Sequence, residues 1–317
     1  MTSSSSEFDL IETYFAPLAT DKGAFGLKDD AALLAPRRGC ELVVTTDAVV
    51  AGVDFFASDP AAAIAQKALR VNLSDLAAKG AEPFGYLLTL MLPQEIGGAF
   101  VKEFARGLSD DQRRYGVSLL GGDMSATPGP LAVSITAFGH VPAGRMVGRS
   151  GAKPGDRVFV TGTIGDSGGG LALLKNPALS HSAETHDALV SRYRLPEPRV
   201  SLAPLLRGAS AAIDVSDGLL ADLGHVAKAS GVRIVVEAGR IPRSPALRTL
   251  WGDSPDAIVR AATAGDDYEI AYTASGPAMD RSTPVSRIGT VEKGGGVILL
   301  DAQGREIAVP RKGFSHF

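Results

Sequence analysis

Pro142-Ala-Gly-Arg-Met-Val-Gly-Arg-Ser-Gly-Ala-Lys-Pro-Gly-Asp156 is the stretch on which the fold turns. Its glycines and prolines break both helical and strand periodicity, so it reads as a linker between one domain at 1–145 and a second at 146–317. A chain of 317 residues also exceeds what one hydrophobic core comfortably organises.

Upstream of the linker, Leu131 to Phe138, Val117 to Leu120 and Tyr86 to Leu92 read as strands, with a helix from Ala99 to Tyr115. Asp59-Pro60 is a cap followed by proline at the first helical position. It opens an alanine-rich helix that reaches Lys79 and is closed by Gly80. Asn72 and Asp75, three residues apart, share one face of that helix. Glu41-Leu-Val-Val-Thr-Thr-Asp47 reads as a short strand ending in polar residues, and Ser6-Glu7-Phe8-Asp9 as a capping box that opens a helix limited by Pro17. Downstream, strands are expected at Arg157 to Thr161, Ala211 to Val215, Arg233 to Glu237, Tyr268 to Thr273 and Gly296 to Leu300. Helices are expected at Asp166 to Lys175 and Gly218 to Ser230. Both halves therefore read as α/β.

Hydrophobic residues make up 45% of the chain and charged residues 21%, an ordinary globular balance. A net charge of -3 supplies no positive field for nucleic acid or anionic lipid, so neither is expected as a partner. Cys40 is the single cysteine, which excludes an internal disulfide and a thiolate-rich metal site. The polar start, Met1 to Ser6, lacks a secretory layout, and no apolar run approaches the roughly 20 residues of a membrane span, so a cytoplasmic protein is expected.

The informative pattern is the placement of aspartates where predicted strands run out or loops begin: Asp29 and Asp30, Asp47, Asp123, Asp214 and Asp217, Asp266 and Asp267. Hard cations such as Mg²⁺ take oxygen ligands, and ligands in open α/β sheets gather beyond strand ends. Each aspartate taken singly reads equally well as a cap or turn residue. As a set, like charges beside apolar segments call for cations or strong hydrogen bonds. Gly121-Gly122-Asp123 and Gly162-Thr-Ile-Gly165-Asp166 read as turns that let backbone approach a phosphate. Asp214-Val-Ser216-Asp217-Gly218 reads as a helix opening that could receive an anion. No G-x-x-x-x-G-K-[ST] loop, kinase-type catalytic loop, H-E-x-x-H or G-x-S-x-G elbow occurs, and His181 and His186 fall in a polar, solvated loop.

Taken in order, these segments resemble the thiamine-monophosphate kinase family. The match runs through Asp-Asp-Ala-Ala-Leu-Leu (29 to 34), Thr-Thr-Asp-Ala-Val-Val-Ala-Gly-Val (45 to 53), Asn-Leu-Ser-Asp-Leu-Ala-Ala-Lys-Gly-Ala-Glu-Pro (72 to 83) and Gly121-Gly-Asp123. It continues through Arg149-Ser-Gly-Ala-Lys-Pro-Gly-Asp156, Ile213-Asp-Val-Ser-Asp-Gly218, Gly265-Asp-Asp-Tyr-Glu269 and Gly313-Phe-Ser-His-Phe317. The resemblance implies a two-domain aminoimidazole ribonucleotide synthetase-like fold, mixed sheets with helices packed on them. It also implies a homodimer formed through the N-terminal domain and transfer of phosphate from ATP to thiamine monophosphate. The carried-over metal set for several Mg²⁺ ions is Asp30, Thr45, Thr46, Asp47, Asp75, Asp123, Asp214 and Asp217. ATP would be contacted by Gly121, Gly122, Asp123, Arg149 and Ser216, and thiamine monophosphate by Asp54, Asp266 and Phe314. Asp30, Asp47, Asp123 and Asp214 are the implied catalytic carboxylates. The alternatives kept beside this are another ATP-dependent enzyme of that superfamily and a non-catalytic nucleotide-binding relic.

Three positions depart from the family pattern. Lys28 stands where glycine usually precedes Asp-Asp-Ala, Asp54 where histidine usually precedes phenylalanine, and Met124-Ser125 where threonine usually follows Gly-Gly-Asp. Asp54 adds a negative charge to the implied acceptor pocket, which either weakens binding or accepts a hydrogen bond from the aminopyrimidine.

Overall fold

The computed structural model describes residues 6–179, 182–276, 283–310 and 313–314. The tail at 1–5, His181 and the closing residues 315–317 lie outside the described residues. The chain folds as two compact units, one comprising 1–76 and 81–144, the other 77–80 and 145–317.

The first unit opens with the expected capping box. Ser6 accepts from the backbone N–H of Asp9, whose carboxylate accepts from the Ser6 N–H, and α1 (Glu7–Leu10) follows. Helical turns continue to Leu18 with Pro17 near the end, burying Phe15 and Leu18. Four strands follow, interleaved with two long helices: β1 (Cys40–Val50), α2 (Ala61–Ala78), β2 (Glu82–Pro93), α3 (Gly98–Tyr115), β3 (Ser118–Thr127) and β4 (Ala132–Pro142). The sheet order is β1-β4-β2-β3, antiparallel except for the β2–β3 pair.

Two of these strands outrun the sequence reading. Asp47 lies inside β1, opposite Ile135 of β4, and not at a strand end. Gly121-Gly122-Asp123 pairs with Leu87 to Thr89 inside β3, and is no turn. Long-range pairing supplies here what local propensity does not. A register shift beside Tyr86 and Leu87 accommodates Leu120 and re-aims the glycines.

Alternation divides the sheet into two faces. Val43, Leu88, Leu90 and Ile135 are buried, and α2 packs against α3 so closely that a Cβ on Gly107 would fall 2.3 Å from the Ala62 carbonyl. A buried ion pair between Arg70 and Asp111, at 2.7 Å, joins the two helices. On the opposite face Leu42, Val44 and Leu87 stay exposed, at 49%, 52% and 36%.

The second unit contains β5 (Arg157–Thr161), α4 (Asp166–Lys175), α5 (Ala183–Arg194), α6 (Ala203–Leu206), β6 (Ala211–Asp214), α7 (Leu219–Ser230) and β7 (Arg233–Glu237). After these come α8 (Pro245–Trp251), α9 (Pro255–Thr263), β8 (Ile270–Ala274), β9 (Val285–Glu292) and β10 (Gly296–Leu300). Its mixed sheet runs β10-β7-β9-β5-β8-β6, with β10–β7 the parallel pair. Aliphatic residues of β5, β6 and β7 pack with Leu219, Leu223 and Val226 of α7 in its main core. The sequence reading passed over β9, α5, α8 and α9, and His186 sits on α5 rather than in a loop. No helix among the described residues is long and apolar enough to cross a membrane.

Candidate active site

In the first unit, β1 delivers Thr45 and Asp47 to the side that faces α2. The Thr45 hydroxyl donates to the Asp75 carboxylate at 2.5 Å. The Asp47 carboxyl is pushed up to about 6 by desolvation, then by the negative charges of Asp75 and Asp54. Asp47 keeps an open surface to water, so the two neighbouring carboxylates are the sturdier part of that shift. Asp54 is tied into its own turn, its carboxylate accepting from the Val50 N–H at 2.8 Å while its carbonyl accepts from the Lys67 ammonium at 2.7 Å. Asn72 is fully buried on α2, and its amide oxygen has no partner among the described residues.

Thr46, one residue on, points to the other face. It donates to the Ile135 carbonyl and accepts from the Thr136 hydroxyl, both at 3.1 Å. Thr136 lines a pocket of about 570 Å³ whose wall also includes Asp29, Asp30, Gly121, Gly122 and Asp123. Asp30 and Asp123 therefore share one cavity. Gly122 is obligatory there, because a Cβ would sit 1.8 Å from the Leu88 carbonyl oxygen.

In the second unit, β6 ends at Asp214, which is buried, and Val215 to Gly218 lead into α7. This segment zips against residues 266 to 269: Asp266 N–H donates to the Ser216 carbonyl at 2.8 Å, and Tyr268 N–H to the Val215 carbonyl at 2.8 Å. The Phe314 N–H donates to the Asp217 carbonyl at 2.9 Å. Backbone hydrogen bonds thus make neighbours of Ser216, Asp217, Asp266 and Phe314.

The helix opening is not vacant. The N–H groups of Ser216, Asp217 and Gly218 all donate to one oxygen of Asp222, each at 3.1 Å. The anion-receiving role expected for this opening is filled by the chain's own carboxylate. Burial, followed by the charges of Asp214 and Asp217, pushes the Asp222 carboxyl up to about 8. Ligand atoms of Asp217, Asp222 and His225 lie within 4.8 Å of one another. Sequence reasoning missed Asp222; its signal is a carboxylate within the first turn of a helix that follows a glycine.

The other turn behaves alike: Asp267 accepts from the Gly165 N–H at 2.6 Å and the Ser167 N–H at 3.2 Å at the start of α4. Burial raises the Asp267 carboxyl, while those two donors and Arg192 pull the other way. Arg149 is separated from this group. Its carbonyl accepts from Ser230 at the far end of α7, about 18 Å of helix from Ser216 at 1.5 Å per residue.

Strand-borne carboxylates and hydroxyls, beside glycines set for close backbone approach, supply the hard oxygen donors that a divalent cation takes. The chain belongs to the AIR synthase related protein family, whose N-terminal domain matches residues 28–141 and whose C-terminal domain matches residues 153–302. Within that class it belongs with the thiamine-monophosphate kinases. It is 45% identical to the thiamine-monophosphate kinase of Caulobacter vibrioides, over 98% of this chain and 90% of that one. Among solved structures, the thiamine-monophosphate kinase from Stenotrophomonas maltophilia K279a superposes with a TM-score of 0.84 at 40% identity, covering 96% of this chain and 98% of that one. AaThiL complexed with AMPPCP and TMP superposes at 0.81 with 33% identity, covering 98% and 97%.

Proposed function

We propose that this chain is a phosphotransferase that moves the terminal phosphoryl group of ATP onto thiamine monophosphate, giving ADP and thiamine diphosphate. The observation that carries this reading is the common cavity of Asp30, Gly121, Gly122 and Asp123, in a chain similar over its length to a kinase solved with AMPPCP and TMP.

The residues fit magnesium. Their donors are carboxylates and hydroxyls, and the burial and then the neighbouring negative charge that raise Asp47 are what a divalent cation would offset. Asp30, Thr46 and Asp123 would hold it on the pocket side, Thr45, Asp47 and Asp75 on the α2 side, and Asp214 and Asp217 in the second unit. Ions held there would neutralise the charge of the polyphosphate. No catalytic base is required, because a phosphate monoester has its second pKa near about 6 and its oxygen already lacks the proton at neutral pH. Transfer is direct, without a phospho-enzyme. The resemblance assigns to the nucleotide Gly121, Gly122 and Asp123 of the first unit, and Ser216 and Arg149 of the second. Asp54, Asp266 and Phe314 face thiamine monophosphate.

The exposed apolar sheet face bearing Leu42, Val44 and Leu87 supports a homodimer formed through the first unit. A cytoplasmic site fits a reaction that consumes ATP.

A coupled ADP-release assay with thiamine monophosphate, thiamine and formylglycinamidine ribonucleotide as acceptors tests the reaction. Turnover is expected with thiamine monophosphate alone. Turnover with unphosphorylated thiamine but not with its monophosphate would overturn it.

A further inference from the structure

The loop from Gly265 to Glu269 holds two non-glycine residues in the left-handed region, Asp266 at φ 67° and Tyr268 at φ 51°. Such a residue is strained and persists only where its surroundings over-determine it. The surroundings do so here by alternation. Asp267 and Glu269 point inward and are buried, at 1% and 0% exposure, while Asp266 and Tyr268 point outward with the Tyr268 hydroxyl 3.4 Å from the Asp266 carboxylate.

The inward pair is gripped from three elements. Glu269 accepts from Arg192 of α5 at 2.8 Å, from Thr161 of β5 at 2.6 Å, and from both Nε and a terminal nitrogen of Arg199, the former at 2.6 Å. Arg192 also donates to the Asp267 carbonyl at 3.3 Å, so one guanidinium spans the loop. The carboxylate enters this cage because residue 162 is glycine: a Cβ there would lie 2.1 Å from a Glu269 oxygen.

A buried charge trio is a poor device for stability alone, since well-packed apolar residues often do as well or better. Its position, three residues from Asp266 and bonded to the carbonyl next to it, suits another task. We infer that Arg192, Arg199 and Glu269 form a positioning cluster that fixes the left-handed loop and aims Asp266, with Tyr268 beside it, at the acceptor substrate. This rests on the reading above in which Asp266 faces thiamine monophosphate. The cluster touches no reacting atom.

Steady-state kinetics of Arg192→Gln and Arg192→Lys in the full chain test this, varying thiamine monophosphate and ATP in turn and recording melting temperature. Arg192 is the residue to change, because Arg199 stays on Glu269 and keeps the buried carboxylate paired. Losing one charge-assisted hydrogen bond to the loop is expected to raise KM for thiamine monophosphate about tenfold in Arg192→Gln while KM for ATP moves less than about twofold. Arg192→Lys is expected to recover part of the loss. A fall in melting temperature with both KM values unchanged, or with both raised together, overturns positioning and leaves a structural ion cluster. Asp266→Asn separates the two levels. If it raises KM for thiamine monophosphate and Arg192→Gln does not, the positioning inference alone has failed. If Asp266→Asn leaves that KM unchanged in an otherwise active enzyme, the acceptor-site reading has failed and takes the inference with it.

Discussion

The Thr45 hydroxyl meets the Asp75 carboxylate at 2.5 Å and so pins the middle of β1 to α2. A side-chain hydrogen bond to a charged group is worth about 1.5–3 kcal/mol. Thr45→Val keeps the branched shape and removes the donor, so it is expected to lower unfolding free energy by about 2 kcal/mol. Thr45→Ser, which restores the hydroxyl, is expected to stay within about 1 kcal/mol of the parent. Urea titration of both variants decides it.

Asp47 and Asp123 carry the test of the carboxylate clusters. Asp47→Asn and Asp123→Asn keep side-chain volume and remove one charge each, and are expected to cut turnover by about a hundredfold or more with circular dichroism unchanged. Asp47→Asn should also raise the melting temperature of metal-free protein near neutral pH, since it relieves repulsion from Asp75 and Asp54. Rates near those of the parent would remove both residues from the metal set.

Asp222 sets a pH dependence whose sign follows from its raised pKa. The folded form keeps this proton up to about 8, whereas an unfolded aspartate gives it up near its ordinary value of 3.8. Between those values the folded state holds the extra proton, so the stabilisation is full below the unfolded value and is lost as pH rises through the folded one. Metal-free Asp222→Asn is therefore expected to melt with a flatter pH profile from about 4 to 8 than the parent. Parallel profiles would show that Asp222 titrates normally.

Gly121 and Gly122 are adjacent yet should respond differently. A Cβ on Gly121 meets its nearest neighbour, Leu87 Cδ2, at 3.4 Å, whereas one on Gly122 meets the Leu88 carbonyl at 1.8 Å. Gly122→Ala is expected to destabilise by about 3 kcal/mol or more and Gly121→Ala by less than about 1. Denaturant midpoints of the two variants give the comparison.

Local signals made much of this legible. The helix at Asp166 to Lys175 and the strands at Arg233 to Glu237 and Gly296 to Leu300 begin and end where glycine turns and β-branched runs placed them. The shortfall has two physical sources. β1 continues beyond Asp47 to Val50, and β3 through Gly121 to Thr127, because β4 and β2 pair with them, and polar or glycine-rich segments announce no such pairing. β9 is interrupted by Arg287 and Gly289, the latter required because the Val235 carbonyl lies 1.9 Å from where its Cβ would be. The starts of α8 and α9 carried readable signals in Ser244-Pro245 and Ser254-Pro255. At the site, the resemblance assigned Asp217 to the metals, Ser216 to ATP, and Asp266 and Phe314 to thiamine monophosphate, and nothing local announced the backbone hydrogen bonds that join the four. Asp222 and Glu269 escaped because their importance lies in which backbone amides and arginines converge on them.

The Asp222 carboxyl, protonated up to about pH 8, fills the opening of α7 from within the chain. An anion approaching that opening meets three committed amides and the charges of Asp214 and Asp217, not a positive dipole. Nucleotide and cation occupancy are then thermodynamically linked, each raising the apparent affinity for the other by the same factor. Under the proposed reaction, free magnesium would set how much of a constant ATP supply the enzyme holds, tying it to the ionic state of its surroundings as well as to its substrates.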